Sequence, residues 1–323
     1  MARGRMNSGR WILLGAVTAS ATAVAVGAAV AWPLARPSPD ASADASPRLR
    51  WAPPKLVHPI TIKITSPTRD LFLNPNRDYI LKMPATPVTP GYDGGLWING
   101  GHNIVVIGGE FDFDGVVNTN PTVEDEGRVI TLHHVTGVVH IEGIWAHGDG
   151  LIEGIQNYSP RAIVQVENCR FDRIDGKGVF HSDLFQFAVG RGLRIDRFTG
   201  SSNVQGVFLE DMTGHVSIDR TNIVADPGGK YLFWQGDARV PQTLHGVYLS
   251  PEHGRSVGSS VWPSTSDPRP RWRARVRRGI VTWPPHVRIS GGIRSGIPPG
   301  GDSVPVGVAG VDYISPAYQG KSG

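Results

Sequence analysis

Three residues able to do acid–base chemistry fall in one short run with a hydrogen-bonding amide, Lys177 to Gln186 (KGVFHSDLFQ): Lys177, His181 and Asp183, with Gln186. Cleavage of a uronate by β-elimination needs a base for the proton alpha to the carboxylate and a cation for the charge that develops. Lys177 or His181 can serve as that base, Asp183 can orient the imidazole, and Gln186 can bind a sugar hydroxyl. The same residues could equally form a polar corner that satisfies backbone groups in a tight turn. Glu210 and Asp211 add carboxylates for the substrate groove, and with Asp183 they are the acids this reading offers to a hydrolase.

Two further constellations carry charge. In Glu110-Phe111-Asp112-Phe113-Asp114, strand alternation sends Glu110, Asp112 and Asp114 to one face and both phenylalanines to the other. Three carboxylates suit Ca²⁺, but same-face residues stand ~6.8 Å apart along a strand, so a neighbouring element must help. In the run Arg269 to Arg278, an extended conformation puts Arg271, Arg273, Arg275 and Arg277 on one face and Trp272, Ala274 and Val276 on the other. Such an arginine ladder matches the carboxylates or sulfates of an acidic polymer.

The elements that must position these residues announce themselves as a loose repeat. Segments ending in Ile107-Gly108, Ile141-Glu142, Val166-Glu167, Ile195-Asp196 and Ile218-Asp219 read alike, and their apolar anchors lie 34, 25, 29 and 23 residues apart. A period of this length marks a solenoid. The units alternate apolar with polar, so each rung is a strand. Leu96–Ile98, Val129–Leu132, Leu184–Phe187 and Val207–Leu209 supply a second strand about ten residues before an anchor. Two strands per turn, with Gly or polar corners, describe one coil of a parallel β-helix, whose rungs stack ~4.8 Å apart.

The runs His181-Ser182-Asp183-Leu184-Phe185-Gln186 and Gly206-Val207-Phe208-Leu209-Glu210-Asp211, with the tail Pro298 to Pro305, resemble the pectate-lyase-like superfamily of right-handed parallel β-helix proteins, in particular exported actinobacterial members of unassigned activity. The resemblance implies an all-β, single-stranded right-handed parallel β-helix with a lyase-like or hydrolase-like groove. It also departs from the well-known patterns. The N-T-D, D-D, G-H-G and R-x-K set of polygalacturonase-like hydrolases is missing, with His245-Gly246 and His253-Gly254 as fragments only, and so are the W-x-D-H and R-x-P-x-x-R signatures of pectate lyases.

Around the solenoid the sequence sets out a simple order. Arg3, Arg5 and Arg10 precede a charge-free apolar run over 11–32, which reads as a signal peptide or a signal-anchor helix outside the fold, residues 1–32 in all. Residues 33–55 form a Pro/Ala/Ser spacer, 56–294 the β-helix, and 295–323 a Gly/Pro-rich tail expected to cap its open end. Cys169 is the only cysteine, which excludes an internal disulfide and suits a core position. The net charge of +4 includes the leader arginines, and no nucleic-acid partner is expected. These observations describe an exported or membrane-anchored protein that binds an extracellular, acidic polysaccharide and in the lyase reading cleaves it. The rival is a non-catalytic binding or structural solenoid at the cell surface.

Overall fold

The computed structural model describes residues 49–91, 94–116, 127–177, 181–229, 231–235, 240–264 and 266–318. The leader, the apolar run over 11–32 and most of the spacer lie outside them. Among the described residues, no helix is long and apolar enough to cross a membrane.

Successive strands alternate between two sheets. One is built from β1 (Ile60–Lys63), β3 (Tyr79–Lys82), β5 (Ile104–Ile107), β8 (Val138–Glu142), β11 (Ile163–Ile174), β13 (Gly192–Ser202), β15 (Val216–Ala225), β17 (Gln242–Ser250) and β21 (Ile289–Ser295). The other is built from β2 (Leu71–Leu73), β4 (Leu96–Gly100), β7 (Arg128–His133), β10 (Glu153–Tyr158), β12 (Asp183–Gly190), β14 (Gln205–Met212), β16 (Tyr231–Gln235) and β18 (Val261–Trp262). Neighbours within this stack pair in parallel, so the chain winds as a parallel β-solenoid. The short β6 (Glu110–Asp112) and β9 (Trp145–His147) continue the first sheet beyond β5 and β8. An antiparallel hairpin of β19 (Arg275–Arg277) and β20 (Ile280–Thr282) closes that sheet beyond β21.

The apolar column expected from the repeat is present, with one shift. Val106, Ile141, Val166, Ile195, Ile218 and Leu244 are successive partners and all are buried. Ile107, read as the first anchor, instead pairs with Glu142. Phe171, Phe185 and Phe198 fill the adjacent interior with ring centroids 4.7–6.2 Å apart, two of the three contacts edge-on. Edge-on contact sets the negative face of one ring against the positive rim of the next. Strand β10, absent from the repeat reading, supplies the second strand before Val166. Its Glu153, Gln156 and Asn157 mask the apolar alternation.

A second column shapes each coil. Gly108, Gly143, Asn168, Arg197, Arg220 and Gly246 follow one another in register and all have left-handed φ, from 40° to 69°. In β11 this corner shifts the inward phase by one residue, from Val164 and Val166 to Cys169 and Phe171. The first sheet is thereby bent into two faces. Three of the corner residues carry side chains, which adopt this conformation at a cost of about 1–2 kcal/mol each.

Among the described residues, the tail runs back along the flank of the stack rather than over its end. Asp302 accepts from Asn222 and Arg170, the Val304 N–H donates to Thr199, and the Gly310 N–H donates to the Gly143 carbonyl. The spacer likewise joins the fold earlier than residue 56, because Arg50 and Trp51 are bonded to the coils.

Candidate active site: a ladder of buried carboxylates

Immediately before each left-handed corner from Gly143 onward stands a polar residue whose side chain points away from the apolar column. On successive coils these are Glu142, Glu167, Asp196 and Asp219, with His245 on the next. Parallel register stacks them, so neighbouring carboxylates recur about every 4.8 Å. All four are at most 1% exposed. Burying one ionised carboxylate is costly, and four in a row require compensation or retained protons.

Each rung is compensated differently. Glu142 takes one contact from His140 Nε2 at 3.2 Å, while Glu142 Oε1 and His140 Nδ1 are buried without a hydrogen-bond partner among the described residues. Glu167 accepts the backbone N–H groups of Arg50 (2.6 Å) and Trp51 (3.1 Å), one on each oxygen. Asp196 is gripped by both arms of the Arg220 guanidinium, with Nε at 2.8 Å. Asp219 takes Arg50 Nη1 at 2.7 Å and the Ser217 hydroxyl at 2.8 Å, with His245 Nδ1 3.7 Å away.

Burial pushes the Glu167 carboxyl up to about 7, and the charges of Asp196 and Glu142 on either side add to the rise. The two N–H donors only partly oppose it. Glu167 can therefore hold a proton near neutral pH with carboxylates one coil away on both sides. That spacing is close to the ~5–5.5 Å separation of the two acids in retaining glycosidases. Proton donation to a glycosidic oxygen, with a second carboxylate to meet the cationic carbon, is chemistry this arrangement can do.

The tail borders the same ladder. Tyr313 lies against Gly143, where an added Cβ would run into its ring, and its hydroxyl accepts from Asn168 Nδ2 at 3.0 Å. Burial raises the Tyr313 hydroxyl pKa far above its usual value, with Glu142 adding to the rise, so the ring stays neutral. Cys169 lies next to the corner but faces the interior. Burial pushes its thiol up to about 12, which removes it as a nucleophile.

Comparison with protein-family models, with characterised proteins and with solved structures finds no match to this chain.

The residues singled out in the sequence are only partly brought together. On the outer face of the second sheet, His181 Nδ1 lies 3.4 Å from fully buried Asp183, and His181 Nε2 is 2.8 Å from Gln205. Phe208 meets the imidazole edge-on at 5.3 Å. Glu210 is close enough for His181 to oppose the rise that burial and Asp211 impose on its carboxyl. Gln186 bonds Gln156 on the preceding coil. Lys177 turns elsewhere: its ammonium donates to the Asp149 carbonyl and pairs with Asp175 at 3.4 Å.

The continuous strand expected for the arginine ladder does not form. Arg271 sits in a turn and Arg273 in neither turn nor strand, only Arg275 and Arg277 are in a strand, and Val276, expected to face the core, is exposed between them. Asp267 explains the departure, because it binds Arg269 through its carboxylate and Arg273 through its carbonyl, folding the run back on itself. Arg269 then lies over both Trp262 and Trp272, at 5.3 and 5.0 Å.

The acidic run near residue 110 gains the neighbouring-coil partner it required. Asp112, Asp114 and His147 bring one ligand atom each within 4.8 Å of one another. Those residues also have protein partners: Asp112 accepts from the Asp114 N–H, Asp114 from the Asp149 N–H, and His147 contacts Glu110 at 3.0 Å. An imidazole and two carboxylates fall short of the oxygen shell that Ca²⁺ takes.

The ladder itself is written in the repeat. The anchor-plus-one residues are Gly108, Glu142, Glu167, Asp196 and Asp219. The signal is a recurring acid at one solenoid position, readable once equivalent rungs are stacked rather than scanned along the chain.

Proposed function

We propose that this protein is an exported glycan-processing β-solenoid that cleaves glycosidic bonds at the carboxylate ladder. The observation that carries this reading is the buried Glu167 stacked between carboxylates on the coils above and below, where burial pushes its carboxyl up to about 7. In this reading Glu167 donates the proton to the leaving oxygen and Asp196 or Glu142 faces the anomeric carbon. Export rests on the leader, Arg3, Arg5 and Arg10 followed by the apolar run over 11–32, either cleaved or retained as an anchor. A parallel β-solenoid, which stacks equivalent residues along one side, agrees with an extended polymer as partner.

A second reading keeps β-elimination on an acidic polysaccharide at the other sheet, with His181 as base and Asp183 as its orienting partner. The 3.4 Å contact between them favours it, while Lys177 falls outside it. Calcium enters only as an ion to titrate against Asp112 and Asp114, and no step is routed through it.

One assay separates these readings. The purified protein is incubated with neutral, amino and acidic polysaccharides, following reducing ends and the ultraviolet absorbance of unsaturated uronates. Ladder hydrolysis gives reducing ends without absorbance, falls at least 100-fold in Glu167→Gln and is retained in His181→Ala. Absorbance that disappears in His181→Ala and persists in Glu167→Gln overturns it in favour of the second reading. Neither product on any polymer leaves a binding or structural solenoid.

A further inference from the structure

The ladder is already in use by the chain that built it. Arg50 and Trp51 lie more than a hundred residues from the strands they contact, yet they spread three donors over two rungs: two N–H groups on Glu167 and a guanidinium on Asp219. Arg50 is still 42% exposed, so the strand of chain lies over the ladder from outside, while the carboxylate it reaches is fully buried. A segment with cationic and N–H donors, running across stacked coils, shows what kind of ligand these rungs accept.

Charge points the same way. Asp196 already holds Arg220. Glu167 and Asp219 are met by donors from the spacer, and at Asp219 the close cation is Arg50, with His245 farther off. At the other end, Glu142 Oε1 and His140 Nδ1 are buried polar atoms without partners among the described residues, capacity that a hydrogen-bonding ligand would fill. An acidic polymer would meet like charge along this ladder. A neutral one would leave Asp219 buried without a cation once Arg50 is displaced.

We propose that the carboxylate ladder binds a glycan bearing protonated amino groups, and that Arg50 and Trp51 occupy it as an intramolecular competitor. Ladder rungs recur at ~4.8 Å, the scale of one sugar ring per coil, so an amino group can be presented to successive carboxylates as Arg50 is to Asp219. The choice of a glycan rests on the function proposed above; the cation-accepting ladder does not.

The test measures binding rather than turnover, so its failure and the failure of glycosidic cleavage are read separately. Calorimetry is run on the full chain and on Arg50→Ala, with a hexamer of glucosamine, its N-acetylated counterpart and a galacturonate hexamer as probes. Arg50→Ala is expected to bind the glucosamine hexamer at least tenfold more tightly than the unaltered protein, with little binding of the other two. Arg50→Lys should behave as the unaltered protein. Adding Asp219→Asn to Arg50→Ala should abolish the gain, with thermal unfolding as the check on the fold. Should that double variant fail to fold, a synthetic peptide spanning residues 48–55 should compete with the hexamer on Arg50→Ala. Equal binding of the acetylated and amino hexamers, an unchanged affinity in Arg50→Ala, or no competition by the peptide overturns the proposal.

Discussion

Glu167 shows how one residue reports on the whole ladder. Its carboxyl is held up to about 7 in the folded protein, chiefly by burial, against an ordinary value of 4.5. Between those two pH values the native state keeps a proton that the unfolded chain has released. Stability therefore falls as pH rises from 4.5 through 7. At about 1.4 kcal/mol per pH unit over that window, the loss is at most ~3.5 kcal/mol. Glu167→Gln carries no proton to lose, so its denaturant midpoint should decline less over that window and exceed that of the unaltered protein at pH 8. Parallel slopes for the two proteins across pH 5–8 would show that Glu167 ionises as an ordinary surface acid. The residue type and its place after an apolar anchor are legible in the sequence. Its burial is not, because the groups that cover it come from residues 50–51 and from the tail.

At the scale of the element, the corner column matters most. Gly143 combines a left-handed φ of 69° with a contact that leaves no room for a Cβ, since the Tyr313 ring fills the space. Gly143→Ala must both strain the corner and displace the tail. The expected result is a loss of about 1–3 kcal/mol, with increased amide exchange at Gly310 and Tyr313 and little change in β13 or β15. Protection of the tail equal to that of the unaltered protein would mean the ring shifts without releasing the strap. Alternation and Gly corners make the strands legible. The corner at Asn168, Arg197 and Arg220 is not, because these residues take a conformation usually reserved for Gly. The tail reads as an end cover in the sequence because Gly and Pro say where a chain turns, never which surface it meets. The arginine run misleads for a similar reason: alternation alone cannot foresee Asp267 folding the segment into turns around Arg269.

The whole molecule is a stack in which each coil touches mainly its neighbours, so stability is set by the weakest interface between coils. Phe198 on β13 sits at one such interface, against Phe171 and Phe185, and its replacement by Ala costs about 3–5 kcal/mol. In a bare solenoid that cavity would separate the coils on either side into two units. Here the tail spans the gap: Asp302 binds Arg170 on β11 and Asn222 on β15, while Val304 binds Thr199 on β13 between them. Asp302 thereby ties β11 to β15, which each pair with β13 but not with one another. Phe198→Ala alone should therefore still unfold in a single transition at lower denaturant. Adding Asp302→Ala should split it into two, seen as non-coincident changes in tryptophan fluorescence and far-ultraviolet circular dichroism. Persistence of one coincident transition in the double variant would place the cooperativity in the coils themselves and leave the tail as a passenger. The same strap borders the ladder at Tyr313, so the split should also loosen the cover of Glu142, linking the integrity of the stack to access to its carboxylates.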